Sequence, residues 1–210
     1  MRITVFGATG GIGGQIVRQA LEAGHKVTAV VRSAFEVTHP SLEVVRVPGL
    51  DAADPLREAV DASAAVISGV GPRGRKDGPV ASRSTKSILA AMEATGVRRF
   101  VAVSAAPLGP IPADESFLNR RILYPAINWS AADVYADLRV MEADIASSRT
   151  EWTIVRPPKL TDKALTGQYR TVVGGTVPRT LSVSRADVAH LMLAVLDDPA
   201  TIGQPIGVGC

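Results

Sequence analysis

Short apolar runs alternate with longer amphipathic segments along the first half of the chain. Arg2–Phe6 (RITVF), Lys26–Val31 (KVTAVV), 42–47, 64–67 and Arg99–Val103 (RFVAV) are rich in β-branched and apolar residues. Glycine, proline or polar residues punctuate these runs, and each predicts a strand. Between them, residues 12–23 place Ile12, Ile16, Val17, Ala20 and Leu21 on one stripe before Gly24, and Val80–Thr95 stops at Gly96. Both spacings predict helices, and Asp54-Pro55 opens a shorter one ending near Val60. Strands that are apolar on both faces belong to a parallel sheet covered by helices on each side. The alternation therefore predicts an α/β, Rossmann-type doubly wound parallel sheet.

After Val103 the pattern loosens. Three prolines within 105–113 predict a loop, 116–124 a short helix, 131–147 a longer one, and 152–155 a sixth strand stopped by Pro157-Pro158. Residues 167–173 and 180–183 read as short antiparallel or edge strands. Ser184, with Asp187 three residues on, predicts a capped last helix running to Leu196. No repeat, low-complexity tract or linker interrupts the chain, so residues 1–210 are expected to form one Rossmann-type domain.

The glycine turn carries the first chemistry. Gly7-Ala8-Thr9-Gly10-Gly11-Ile12-Gly13 follows the first strand and opens the first helix. Gly7 permits the sharp turn, Gly10 lets the backbone approach a pyrophosphate, and Gly13 lets helix and strand pack closely. The N–H groups around Thr9, Gly10, Gly11 and Ile12 then face the anion at the helix N-terminus. At the end of the second strand, Arg32 and Ser33 stand where an acidic residue would select NAD. A guanidinium there suits the 2′-phosphate, so NADP(H) is the expected cofactor. Arg73 and Arg75, in the loop after strand four, are further candidates for the same adenine and phosphate region. Gly69, within the strand-four end Ser68-Gly69-Val70-Gly71, is expected to border the nicotinamide end. Ser104 ends strand five, where ligands of open parallel sheets lie, and is expected beside the nicotinamide.

Composition excludes more than it adds. Hydrophobic residues make up 46% and charged residues 20%, a globular balance rather than a disordered one. The 23 Lys and Arg against 20 Asp and Glu leave a net charge of +3 without a cationic run, and aromatics are 4%, which disfavours nucleic-acid binding. No apolar run reaches membrane-spanning length and no signal segment is visible. The one cysteine, Cys210, forbids an internal disulfide, consistent with a cytoplasmic protein, and is expected on a frayed end. His25, His39 and His190 are scattered without metal-ligand spacing, so no metal is expected. The nearest match to a Tyr-x-x-x-Lys pair is Tyr135 to Arg139. Arginine cannot shuttle a proton, and Tyr135 reads as a helix-face residue.

The GxxGxxG spacing resembles the extended and atypical short-chain dehydrogenase/reductases, including NmrA-like proteins. A more specific pattern is Val155-Arg156-Pro157-Pro158, Leu165-Thr166-Gly167-Gln168-Tyr169 and Ser182-Val183-Ser184-Arg185-Ala186-Asp187, together with Val31-Arg32, Ala90-Ala91-Met92, Gly96-Val97 and Ser104. Over nearly the whole chain this resembles the flavin reductase/biliverdin-IXβ reductase family. The resemblance implies a monomeric NADPH-dependent reductase with a small-molecule acceptor: a flavin, a linear tetrapyrrole or a quinone. It also implies a catalytic neighbourhood formed by Ser104 and by Lys159, which stands where animal members carry a histidine. The family's Gly-Asp after strand three becomes Gly49-Leu50-Asp51 here. Two other readings stay open: an NmrA-like NADP(H) sensor or scaffold without catalysis, and a sugar-nucleotide epimerase or dehydratase relative.

Overall fold

The computed structural model describes residues 1–72, 77–111, 121 and 131–210. Among them, strands and α-helices follow in this order: β1 (Arg2–Phe6), α1 (Gly11–Glu22), β2 (Lys26–Val31), β3 (Leu42–Arg46), α2 (Asp54–Val60), β4 (Ala65–Ser68), α3 (Val80–Thr95), β5 (Arg99–Val103), α4 (Ala132–Ser147), β6 (Glu151–Arg156), β7 (Lys159–Thr161), β8 (Arg170–Val173), β9 (Ser182–Ser184), α5 (Arg185–Ala194) and β10 (Gln204–Gly209). Eight strands form one sheet in the order β3-β2-β1-β4-β5-β6-β10-β8, all parallel except β8. This is the doubly wound Rossmann order extended by two strands. β7 and β9 pair separately.

Strand alternation builds a core on each face of the sheet. Ile3, Val5, Val27, Ala29, Ile67, Val101 and Val103 pack under α1 and α5. Phe6, Val30, Val66, Phe100 and Ala102 pack under α2, α3 and α4. Neighbouring residues of one strand thus enter opposite cores, which is why the strands carry no polar face. The buried polar residues of these strands are hydrogen-bonded where they can be: the Thr4 hydroxyl donates to the Ala59 carbonyl at 2.6 Å and the Thr153 hydroxyl to the Thr201 carbonyl at 2.8 Å.

Several expectations change. Residues 180–183 do not form an edge of the main sheet; β9 runs parallel to β7. Within the loop after β5, Ala106–Leu108 is a single 3-10 turn. β10 was not anticipated, because Pro205, Gly207 and Gly209 read as breakers. Its glycines are dictated by crowding: a Cβ on Gly207 would lie 2.5 Å from the Gly175 carbonyl oxygen. Cys210 does not fray, since its N–H donates to the Ser182 carbonyl at 3.3 Å. The helix expected over 116–124 lies outside the described residues, apart from the single position 121.

Candidate cofactor and substrate cleft

The strand order reverses between β1 and β4, and three backbone segments meet above that point. Gly7, with φ +76°, follows β1, and a Cβ there would lie 2.8 Å from the Gly69 carbonyl carbon. A Cβ on Gly13 would stand 2.0 Å from the Gly7 oxygen, and one on Gly69 would stand 3.1 Å from the Gly13 nitrogen. Gly7, Gly13 and Gly69 therefore let β1, β4 and the first turn of α1 touch through backbone alone. Gly69 was expected only as a cleft residue; its packing against Gly13 is new.

Beyond these strand ends opens a cleft of about 770 Å³. Its size suits a large cofactor with room for part of a second ligand. Thr9, Gly10, Gly11 and Ile12 line its floor. Gly10 caps α1 with extended backbone and offers no side chain to the first-turn N–H groups, and no acid stands in that turn. By contrast, α5 is capped by Ser184, whose hydroxyl oxygen accepts from the Asp187 N–H at 2.9 Å. The uncapped N–H groups of α1 leave the positive end of the helix dipole facing the cleft.

Arg32, just after β2 and exposed, lines the same cleft, as do Gly49, Leu50 and Asp51. At the other end, Ser104 follows β5. Its residue is 9% exposed, and its Oγ has no hydrogen-bond partner. Buried hydroxyls are almost always paired, so an orphan lining a cleft fits a polar ligand atom. An uncapped helix end, a cation at the β2 terminus and an orphaned hydroxyl at β5 together fit a dinucleotide laid across the switch point.

Not every expected residue reaches the cleft. Lys159 is exposed and absent from the lining, which takes its neighbour Leu160 instead. Along a strand successive side chains alternate faces, so only one of the two can face the cleft. Ser33 is exposed and also outside the lining. Arg73 and Arg75 lie outside the described residues. Tyr135 packs against the α3–α4 core while Leu138, one turn on, lines the cleft. Burial raises the Tyr135 pKa, the reverse of the lowering by which a Tyr-Lys pair works.

Lining residues without a role in the sequence reading include Arg83 on α3, Leu138 on α4 and Arg185 on α5. Arg185 stood within a motif without an assigned task. The Asp137 carboxylate accepts from the Ala81 and Ser82 N–H groups at 2.8 and 3.1 Å, so α4 holds the start of α3, and with it Arg83, at the cleft. Among the described residues the titratable lining is Arg32, Asp51, Arg83 and Arg185. That excess of cations suits an anionic ligand, and it offers no tyrosine, histidine, lysine or cysteine. No group of metal-ligating side chains occurs among the described residues, and no described helix is long and apolar enough to cross a membrane.

Comparison with known proteins agrees with this geometry. Residues 7–199 match the NAD(P)H-binding family. An uncharacterized chloroplastic protein of Arabidopsis thaliana is 32% identical over 86% of this chain and 68% of its own length. The 2-alkyl-3-oxoalkanoate reductase of Stenotrophomonas maltophilia is 29% identical over 91% of this chain and 64% of its own. The chain thus spans about two thirds of these curated relatives. A wide-type short-chain dehydrogenase/reductase from Veillonella parvula, solved with NADP, superposes with a TM-score of 0.81 at 20% identity, covering 100% of this chain and 94% of that one. A candidate NADH-flavin reductase from Streptococcus pneumoniae superposes at 0.80 and 22% identity, over 100% and 99%.

Proposed function

Because the chain belongs to the NAD(P)H-binding family, we propose that it is an NADPH-dependent reductase of a planar conjugated acceptor: a flavin, a linear tetrapyrrole or a quinone. One observation carries this reading. The described lining pairs the orphaned Ser104 hydroxyl with no side chain able to donate a proton near neutral pH. Reducing an isolated ketone needs such a donor at the oxygen, whereas a conjugated acceptor spreads the charge and takes its proton from water. Bound NADPH would supply the hydride; the protein supplies position and electrostatics. Ser104 orients the acceptor and the reactive ring by one hydrogen bond. Leu138 and Leu160 give the acceptor an apolar wall. The flavin reductase likeness of a structural neighbour supports the acceptor class.

NADPH oxidation measured against FMN, FAD, riboflavin, biliverdin isomers and quinones tests the proposal. Turnover of at least one acceptor is the expected outcome. The same lack of a proton donor suits an NADP(H) sensor, and a protein that binds NADPH but reduces none of the panel is that sensor.

Two substitutions follow from this placement. Ser104→Ala is expected to lower turnover roughly 5- to 150-fold, the effect of one oriented hydrogen bond worth ~1–3 kcal/mol in the transition state. The Kd for NADPH should stay within twofold; a change in affinity with unchanged turnover would assign Ser104 to binding alone. Arg32→Ala is expected to weaken NADPH by about 1–3 kcal/mol, the scale of a charge-assisted bond to phosphate, while NADH affinity barely moves. Calorimetry showing equal losses for the two cofactors would remove Arg32 from the 2′-phosphate.

A further inference from the structure

The Arg185 side chain crosses from the first residue of α5 to the first turn of α1. Its Cδ and Nε lie 2.5 and 2.8 Å from the place a Cβ on Gly11 would take, so Gly11 is what admits it. Both residues line the cleft. The guanidinium Nη1 donates to Asp162 Oδ1 at 2.6 Å, across side chains that are 31% and 88% exposed. Asp162 follows β7 and Arg185 follows β9, so the small two-stranded sheet brings the pair to the cleft from one side. Behind Arg185 the backbone is fixed, because Asp187 is 1% exposed and pins the residue 166–167 loop to the start of α5.

We propose that Arg185 is a cofactor-binding residue whose guanidinium closes over the pyrophosphate of the dinucleotide, leaving Asp162 to do so. This rests on the placement of the pyrophosphate at the start of α1. There the uncapped N–H groups offer partial positive charge from below, with no acid in that turn. Arg185 supplies a full charge from above, in a planar fork that matches two phosphate oxygens. The ion pair it gives up is solvent-exposed, and such pairs contribute little. Asp162 thus competes with the anion for the same guanidinium and repels it. Arg185 and Arg32 divide the work. Arg185 serves the pyrophosphate common to both cofactors; Arg32 serves the 2′-phosphate that only NADPH carries.

The experiment is calorimetric titration of NADPH, NADH and ADP-ribose into the full chain, as wild type, Arg185→Ala, Asp162→Asn and the double variant. Arg185→Ala is expected to weaken all three ligands about tenfold, since all carry the pyrophosphate and a charged hydrogen bond is lost. Asp162→Asn is expected to tighten all three about two- to threefold in the wild-type background and to do nothing once Arg185 is gone. A merely structural salt bridge gives no gain on losing Asp162. Unchanged affinities in Arg185→Ala, a loss confined to NADPH, or weaker binding in Asp162→Asn overturns the assignment. Should Arg185→Ala not fold, the sign of the Asp162→Asn effect decides alone. A wild type that binds none of the three ligands sinks the reading of the cleft itself, whereas variants that bind as the wild type does sink only the role of Arg185.

Discussion

Gly13→Ala is expected to destabilise the protein by about 3 kcal/mol or more and to remove cofactor binding with it. The added methyl would sit 2.0 Å from the Gly7 oxygen, 2.5 Å from its carbonyl carbon and 2.9 Å from the Ala8 nitrogen. All three are backbone atoms of the turn itself, so relief requires α1 to lift off β1. Alanine in a helix is worth up to ~1 kcal/mol over glycine, too little to offset that clash. For a chain of this length the midpoint of thermal unfolding should fall by about 10 °C. Gly14→Ala, one residue along, is the control with the opposite sign. Its Cβ would meet the Ala8 oxygen at 3.4 Å, an ordinary contact, leaving the helix-propensity gain. Gly10→Val separates binding from stability. The backbone there is extended, φ −88° and ψ 168°, which valine adopts readily, and its Cβ would approach only the Gly7 oxygen, at 3.1 Å. The rest of the side chain projects toward the cleft, so a near-native melting curve with no NADPH binding is the expected result. Gly13→Ala melting like wild type would overturn the backbone packing of α1 on β1, and Gly10→Val binding NADPH like wild type would displace the pyrophosphate from this turn.

The first half of the fold was legible because its strands are buried on both faces. Val27, Ala29 and Val31 enter one core while Val30 enters the other, so burial writes itself into the sequence as a nearly continuous apolar run, interrupted in β2 only by the buried Thr28. The glycine turn was legible because its spacing reports backbone contact, and Gly13 meets Gly7 as that spacing requires. Past β6 the same rules fail for local reasons. β10 carries one proline and two glycines within six residues, and β7 is three residues long. Which side chain of so short a strand faces the cleft depends on register, and one step exchanges Lys159 for Leu160. Arg185 could be read as the residue after a helix cap, but nothing local tells that it crosses to Gly11, 174 positions earlier. The cations of the cleft come from β2, α3 and α5, and only the one that follows a strand in the Rossmann half, Arg32, was assigned in advance.

Asp187 gathers several donors on one buried carboxylate, and its loss is expected to be felt as stability that depends on pH. Its Oδ1 accepts from the Thr166 and Gly167 N–H groups, each at 2.9 Å, and its Oδ2 accepts from the Ser184 hydroxyl at 2.7 Å. The Thr166 hydroxyl adds a shared contact at 3.1 Å to each oxygen. Burial opposes the charged carboxylate, but these donors outweigh it and hold its pKa below the usual aspartate value. A depressed folded-state pKa means stabilisation that is complete above the unfolded value of about 4 and is lost as pH falls through the folded one. Asp187→Ala leaves two backbone N–H groups and two hydroxyls without their acceptor, and an expected cost of about 3 kcal/mol follows from burying them unpaired. Asp187→Asn keeps the volume and one acceptor oxygen for the backbone donors, so its cost at neutral pH should be nearer 1 kcal/mol. Urea unfolding of wild type and Asp187→Asn at pH 7, 5, 4 and 3 checks both sign and window. The gap between them should hold constant from pH 7 to 5 and close below about pH 4, as the wild-type carboxylate takes up its proton. A gap that persists at pH 3 would mean that Asp187 acts by packing rather than by charge. Because the same carboxylate ties Ser184 and the residue 166–167 loop to the start of α5 behind Arg185, weaker cofactor binding in Asp187→Ala should accompany the loss of stability.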